Sequence, residues 1–139
     1  STARMQKCNE DAAAMYKAWE KEAMAEEYRL EDAEIVLTAY GISGRIAKSA
    51  VNLLRAEGIR AGLIRPITVF PFPAVAYDHI DYGRVKAVLD VEMSIPALFV
   101  EDVRTAVRER CPIETCLCSG GNIMSREAVV AAAKKIMEG

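Results

Sequence analysis

The residues of this chain whose types could do chemistry fall into a few short groups. Tyr40-Gly41-Ile42-Ser43-Gly44-Arg45 combines two glycines with a hydroxyl and a guanidinium. Placed where a strand ends and a helix begins, such a turn presents backbone N–H groups, Ser43 and Arg45 to a phosphate or a carboxylate. Its spacing is Gly-x-x-Gly, short of the three-glycine dinucleotide fingerprint and without the lysine of a phosphate loop, and the same glycines also serve a purely geometric turn. A dinucleotide site further needs a ribose-binding acid after the second strand, where this chain has Arg65 followed by Pro66. Ser119-Gly120-Gly121-Asn122 forms a second such loop, and in a parallel sheet both loops share the carboxyl edge. Gly41, Ser43, Gly44, Arg45, Gly120 and Gly121 are therefore candidates for an anion or subunit contact, each with a turn-forming alternative.

The remaining reactive residues make weaker patterns. Cys111, Cys116 and Cys118 are spaced by five and two, which fits neither a zinc ribbon nor an iron-sulfur run, and alternation sends Cys116 and Cys118 to one face of a strand as packed thiols. His79 is the single histidine, and no nucleophile elbow accompanies it. Neither a catalytic residue nor a metal site is expected. Glu92, Glu101 and Asp102 gather where a helix should start, and Glu92, at a strand's carboxyl end, is the acid best placed for a polar interface contact.

Apolar runs of strand length at 35–40, 61–67, 85–91 and 112–118 alternate with stretches of helical period, the pattern of parallel strands joined by crossover helices. Ile46, Ala47, Ala50, Val51 and Leu54 make one buried stripe, closed by Gly58 in a left-handed cap. Phe99, Val103, Ala106 and Val107 make a second stripe after Ser94 and Pro96. Ala128, Val129, Ala132, Ala133 and Ile136 make a third, opened by Ser125 as N-cap. The crossover after the second strand carries Pro66, Pro71 and Pro73 with Phe70, Phe72 and Tyr77, so a rigid loop and at most a short helix are expected there. Ahead of the sheet, residues 9–27 read as a helix, and Tyr28-Arg29-Leu30 as an edge strand before an acidic turn. Ser1-Thr2-Ala3 resembles a tag remnant.

With 139 residues, 18 basic and 20 acidic side chains and a net charge of -2, the chain has the size of one domain and no field to attract nucleic acid or an anionic membrane. It contains no apolar stretch of membrane-spanning length and no signal-peptide order, so a cytoplasmic location with reduced cysteines is expected.

The ordered set of motifs says more than any one of them. The segment DAEIVLTAYGISGRIAKSAVNLLRAEGIRAGLIRPITVFPFP, 32–73, resembles the start of the transketolase-C-terminal-like domain in α subunits of 2-oxoacid:ferredoxin oxidoreductases. The matching residues are Tyr40, Gly41 and Arg45, then Arg65, Pro66, Thr68, Pro71, Phe72 and Pro73. In VLDVEMSIPALFVEDVR, 88–104, Glu92, Met93, Asp102 and Val103 fit the family's pattern, with Ser94 in place of an asparagine and Pro96-Ala97 where many members have Gly-Gln. Gly120-Gly121 completes the match.

This resemblance implies a three-layer α/β/α fold, a mostly parallel, mixed five-stranded sheet with an antiparallel first strand. Residues 1–27 would be tag remnant and connecting helix, and 28–139 the transketolase C-terminal-like domain. It also implies an assembly domain, inactive alone, of an enzyme that oxidatively decarboxylates a 2-oxoacid of the 2-oxoisovalerate (2-ketoisovalerate) or 2-oxoglutarate type to the acyl-coenzyme A while reducing ferredoxin. Thiamine diphosphate and iron-sulfur clusters would reside elsewhere in the complex, with coenzyme A as cosubstrate, since the chain has no Gly-Asp-Gly motif and no ferredoxin-type cysteine run. The partners implied are the pyrimidine-binding domain, the thiamine-diphosphate-binding β subunit, the γ subunit and, for the complex, ferredoxin. Arg45, Arg65, Thr68, Phe72 and Glu92 join the loop glycines as expected interface positions, with Arg45, Arg65 and Phe72 exposed on one sheet edge. The alternatives are the same domain in a transketolase or a 2-oxoacid dehydrogenase β subunit, and a free-standing nucleotide-binding module.

Overall fold

The computed structural model describes residues 23–68, 71–93, 99–117 and 125–139. Most of the helix expected over 9–27 lies outside them, as do Cys8, Ser94, Pro96, Cys118, Gly120 and Gly121. The described elements are β1 (Ala25–Tyr28), β2 (Ile35–Ala39), helix α1 (Ile42–Ala56), β3 (Ala61–Pro66), a short 3-10 helix (Ala74–His79), β4 (Val88–Glu92), helix α2 (Val100–Val107), β5 (Ile113–Leu117) and helix α3 (Arg126–Glu138). They form one five-stranded sheet in the order β1-β3-β2-β4-β5. β1 is antiparallel to β3 and all other pairs are parallel.

β2, β3 and β4 form on the expected apolar runs, because runs buried on both faces leave no polar alternation to compete, whereas β5 is an edge strand with Glu114 and Thr115 exposed. β2 is buried along its whole length. Ile35, Leu37, Leu63, Leu89 and Val91 face α1 and α3, whereas Val36, Ile64 and Val88 face α2 and the 3-10 helix. Removing one of these side chains from water stabilises the fold by roughly 1.5–3 kcal/mol. The helices close as their end residues require. Gly58 takes φ 86 after α1, and Ser125 Oγ accepts the Ala128 N–H at 3.1 Å to start α3.

Two expectations are corrected at the amino end. The chain is already extended at Ala25, so the helix does not reach 27, and the edge strand is Ala25–Tyr28 instead of Tyr28-Arg29-Leu30. Pairing decides this: Ala25 lies opposite Pro66 and Tyr28 opposite Leu63. Arg29 then turns out at φ 56. Its carbonyl lies against Gly62, where a Cβ would come within 2.9 Å of that oxygen. The acidic turn is tied down, with Asp32 bound by Arg55 at 2.7 Å. β4 begins three residues later than expected, because Asp81 Oδ1 accepts the Gly83 N–H and the Asp81 carbonyl accepts those of Arg84 and Val85, holding a turn.

Candidate functional site

β2 leads to β3 on one side, while β4 lies on its other side and leads outward to β5. The carboxyl ends of β2 and β4 therefore flank a topological switch point, the position where open α/β sheets place ligands or contacts. The loop after β2 opens at Gly41, whose φ of 64 favours glycine. Ser43 and Gly44 are buried in the first turn of α1. Arg65 crosses directly over Gly44, where a Cβ would meet its Cδ and Nε at 2.8 Å. The glycine is thus covered by a side chain and not left open for a pyrophosphate.

Arg65 is half-buried, and its Nη1 lies 3.5 Å from Glu26, which Lys48 also binds at 2.8 Å. The hydrogen bond from Lys48 and the two positive charges hold the Glu26 carboxyl below its ordinary range. The expectation of an exposed Arg65 is corrected accordingly, while Arg45 is exposed. Thr68 closes the end of β3: its hydroxyl donates to the Pro71 carbonyl at 3.0 Å and accepts the Met24 N–H at 3.0 Å. Phe72 also departs from expectation. Instead of standing out, it stacks on Tyr77 at 5.5 Å and meets Phe99 edge-on at 5.6 Å, because proline-directed turning brings the ring back onto the α2 face.

Below the switch point lies a buried polar cluster. Asp90 sits in register between Thr38 of β2 and Thr115 of β5. Asp90 is 0% exposed and Glu92 6%. Glu92 Oε1 accepts the Phe99 N–H at 2.8 Å and so anchors the start of α2. Both Asp90 oxygens and Glu92 Oε2 are buried without a donor among the described residues. Burial first, then a hydrogen bond with and the charge of Glu92, push the Asp90 carboxyl far above the usual carboxylate range. As two carboxylates the acids are both acceptors, so that hydrogen bond needs a proton on one of them. Tyr77, buried beside them, has its hydroxyl pushed up mainly by burial.

Among the described residues, the carboxyl edge exposes mainly apolar side chains, with Arg45 beside them. Leu117 follows from β5, Met93 from β4, Tyr40 and Ile42 from β2, Ile67 from β3, and Met24 from the adjoining start of β1. Their exposures run from 39% to 67%. These are six of the eight large apolar side chains that stand exposed among the described residues. In strand order they form one row, about 20 Å long at ordinary strand spacing. A groove of about 550 Å³ opens elsewhere, between β5 and α3, lined by Leu89, Pro112, Glu114 and Ile136 and bordered by Lys86. Thr115 and Lys135 also line it.

Among the described residues no three His, Cys, Asp or Glu side chains assemble as a metal-ligand set. Cys111 and Cys116 pack against opposite faces of the sheet. His79 Nδ1 is 2.8 Å from Glu27, tying the 3-10 helix to β1. Asp90, Thr38 and Tyr77 were not among the sequence candidates. The available signal was an acid inside the otherwise apolar run Val88-Leu89-Asp90-Val91.

Sheet order, layering and the antiparallel edge strand define an α/β domain of the transketolase C-terminal kind. Among solved structures, the chain is similar to 2-oxoglutarate:ferredoxin oxidoreductase from Magnetococcus marinus, solved with 2-oxoglutarate, coenzyme A and succinyl-CoA bound. That likeness has a TM-score of 0.69 and 22% identity, over 82% of this chain and 20% of that one. It is also similar to a split-gene transketolase in an inactive β4 tetramer, with a TM-score of 0.67 and 21% identity over 83% of this chain and 41% of that one. The sequence narrows the class: residues 33–129 match the model of pyruvate:ferredoxin oxidoreductase core domain II, and the chain belongs to that family. It is 44% identical over 117 residues to ketoisovalerate oxidoreductase subunit VorB of Methanothermobacter marburgensis, covering 84% of this chain and 32% of that subunit. The chain thus spans about a third of that curated relative.

Proposed function

We propose that this domain is an assembly element of a thiamine-diphosphate-dependent 2-oxoacid:ferredoxin oxidoreductase, one that docks through the carboxyl edge of its sheet and is inactive alone. The row from Leu117 through Met93, Tyr40, Ile42 and Ile67 to Met24 carries this reading. Exposed apolar side chains gathered at one edge of a domain that buries its own core mark an interface. Exposed Arg45 beside it supplies a charge that fixes register. The partners are the pyrimidine-binding domain, the thiamine-diphosphate-binding β subunit and the γ subunit, in a cytoplasmic enzyme whose complex uses coenzyme A and passes electrons through iron-sulfur clusters to ferredoxin. Residues 28–139 and the preceding edge strand form the docking unit. The identity to the ketoisovalerate enzyme supports a branched-chain 2-oxoacid as substrate.

Ile42→Asp tests this directly. Ile42 is 67% exposed at the first position of α1, a helix with no acid in its first turn. An aspartate there favours the helix dipole, so loss of docking is separated from loss of folding. The expected outcome, in the intact polypeptide co-produced with its partner subunits, is a folded protein with at least tenfold weaker association by size exclusion and a matching loss of 2-oxoacid-dependent ferredoxin reduction. Assembly and turnover equal to the unsubstituted protein would sink the proposal.

A further inference from the structure

The hydrogen atoms of the buried cluster can be assigned one by one. Thr38 donates its single hydroxyl proton to the Ile64 carbonyl at 3.0 Å. In the 2.6 Å contact between the Thr38 and Tyr77 hydroxyls, tyrosine is therefore the donor. Neither hydroxyl has a proton left for Asp90. The same deficit appears at the acids, where among the described residues both Asp90 oxygens and Glu92 Oε2 have no donor although Asp90 is fully buried. Thr38 and Thr115 flank Asp90 from β2 and β5. Tyr77 faces the cluster from the 3-10 helix, and α2 contributes the charges of Asp102 and Arg104. Arg104 is 57% exposed and lies 3.8 Å from Glu101. Among the described residues no cation pairs with either buried acid, and two desolvated carboxylates side by side do not both stay ionised.

We propose that Asp90 and Glu92 form a proton-binding site, Asp90 as the acid donating to Oε2 of the Glu92 carboxylate, which acts as a pH-sensitive latch between β4 and the start of α2 beneath the docking edge. The Phe99 N–H donates to Oε1, and the shared proton supplies the donor that Oε2 lacks among the described residues. Loss of the proton leaves two negative charges in an apolar layer under Met93 and drives β4 and α2 apart. The proton site stands on its own geometry; only the consequence for docking rests on the proposed function.

The sign follows from linkage. The folded protein holds a proton that unfolded aspartate, with a pKa of about 3.9, has released. Stability is therefore fully present below that value and declines as pH rises, by up to about tenfold in the folded-to-unfolded ratio per pH unit, until the raised folded value is passed. Urea unfolding of the 139-residue chain and its Asp90→Asn variant between about pH 5 and about pH 8 reads this out. The amide mimics the neutral acid, so the variant is expected to lose that part of the slope. Infrared spectra of the unsubstituted chain at neutral pH should show the carbonyl stretch of a protonated carboxylic acid, a measurement that stands even where the variant fails to fold. Its absence, or equal slopes for the two proteins, would overturn the proton site. Subunit association, followed upward in pH past the point where the folded acid releases its proton, should weaken there in the unsubstituted protein and not in Asp90→Asn. A protonated-acid band with pH-independent association would overturn the latch, whereas association indifferent to Ile42→Asp would instead remove the docking reading.

Discussion

Thr38→Val is nearly isosteric and removes only a hydroxyl, so its cost measures the polar cluster and not packing. Thr38 accepts from Tyr77 at 2.6 Å and donates to the Ile64 carbonyl at 3.0 Å, at a site with no exposure. Its loss strands the Tyr77 O–H, for a cost of about 1–3 kcal/mol, the usual penalty of a buried donor without an acceptor. Tyr77→Phe removes the donor itself and leaves Thr38 bonded to Ile64, so it should cost less, about 1 kcal/mol. In the double variant no hydroxyl is stranded, and the combined cost should fall short of the sum by about 1 kcal/mol, a coupling expected of direct partners. Urea unfolding of the four proteins at one pH, with unchanged m-values, gives the cycle. Additive effects, or a Thr38→Val cost below that of Tyr77→Phe, would refute the assigned direction of the hydrogen bond.

Gly62→Ala should destabilise the chain by about 1–3 kcal/mol, since the new Cβ would sit 2.9 Å from the Arg29 carbonyl and 3.1 Å from the Ala33 Cβ and cannot relieve both; unfolding midpoints check this, and a stabilised variant would contradict the close approach. Arg110 binds Asp78 at 2.7 Å and, with Arg108, holds its carboxyl below the ordinary range. That interaction is present above the ordinary carboxylate pKa and lost as pH falls through the lowered value. Carbon-detected NMR titration should find Asp78 protonating later than unpaired aspartates on acidification, and Arg110→Ala should return it toward them.

How much was legible in the residues varied by element. The strands from Ile35 and Ala61 declared themselves, because runs of branched and small apolar residues between turns admit few other structures. The three stripes of α1, α2 and α3 were equally plain from their period, except that Ala128, expected in the third, is exposed and Val130 packs on the core instead. The start of β1 was not, since Ala25-Glu26-Glu27 has good helical propensity and becomes a strand only by pairing with β3. Phe72 read as exposed because it stands between two prolines; the ring contacts that turn it inward come from residues 77 and 99. The carboxyl edge could be placed from strand order, and the motifs carried the family to which the chain belongs.

By itself, then, the sequence determined the layered α/β domain, the edge on which its loops lie and the kinship with 2-oxoacid:ferredoxin oxidoreductases, because hydrophobic period and short motifs are local properties. Only the tertiary structure decided that Arg65 covers Gly44, that Met24 joins Leu117 in one apolar row, and that Asp90 meets Glu92, Thr38 and Tyr77 away from water. Those facts depend on which strands become neighbours and on how fully helices cover them. Such distances and the local exclusion of water arise from contacts between residues far apart in the chain, and they set both the charge of a buried acid and the surface left for a partner.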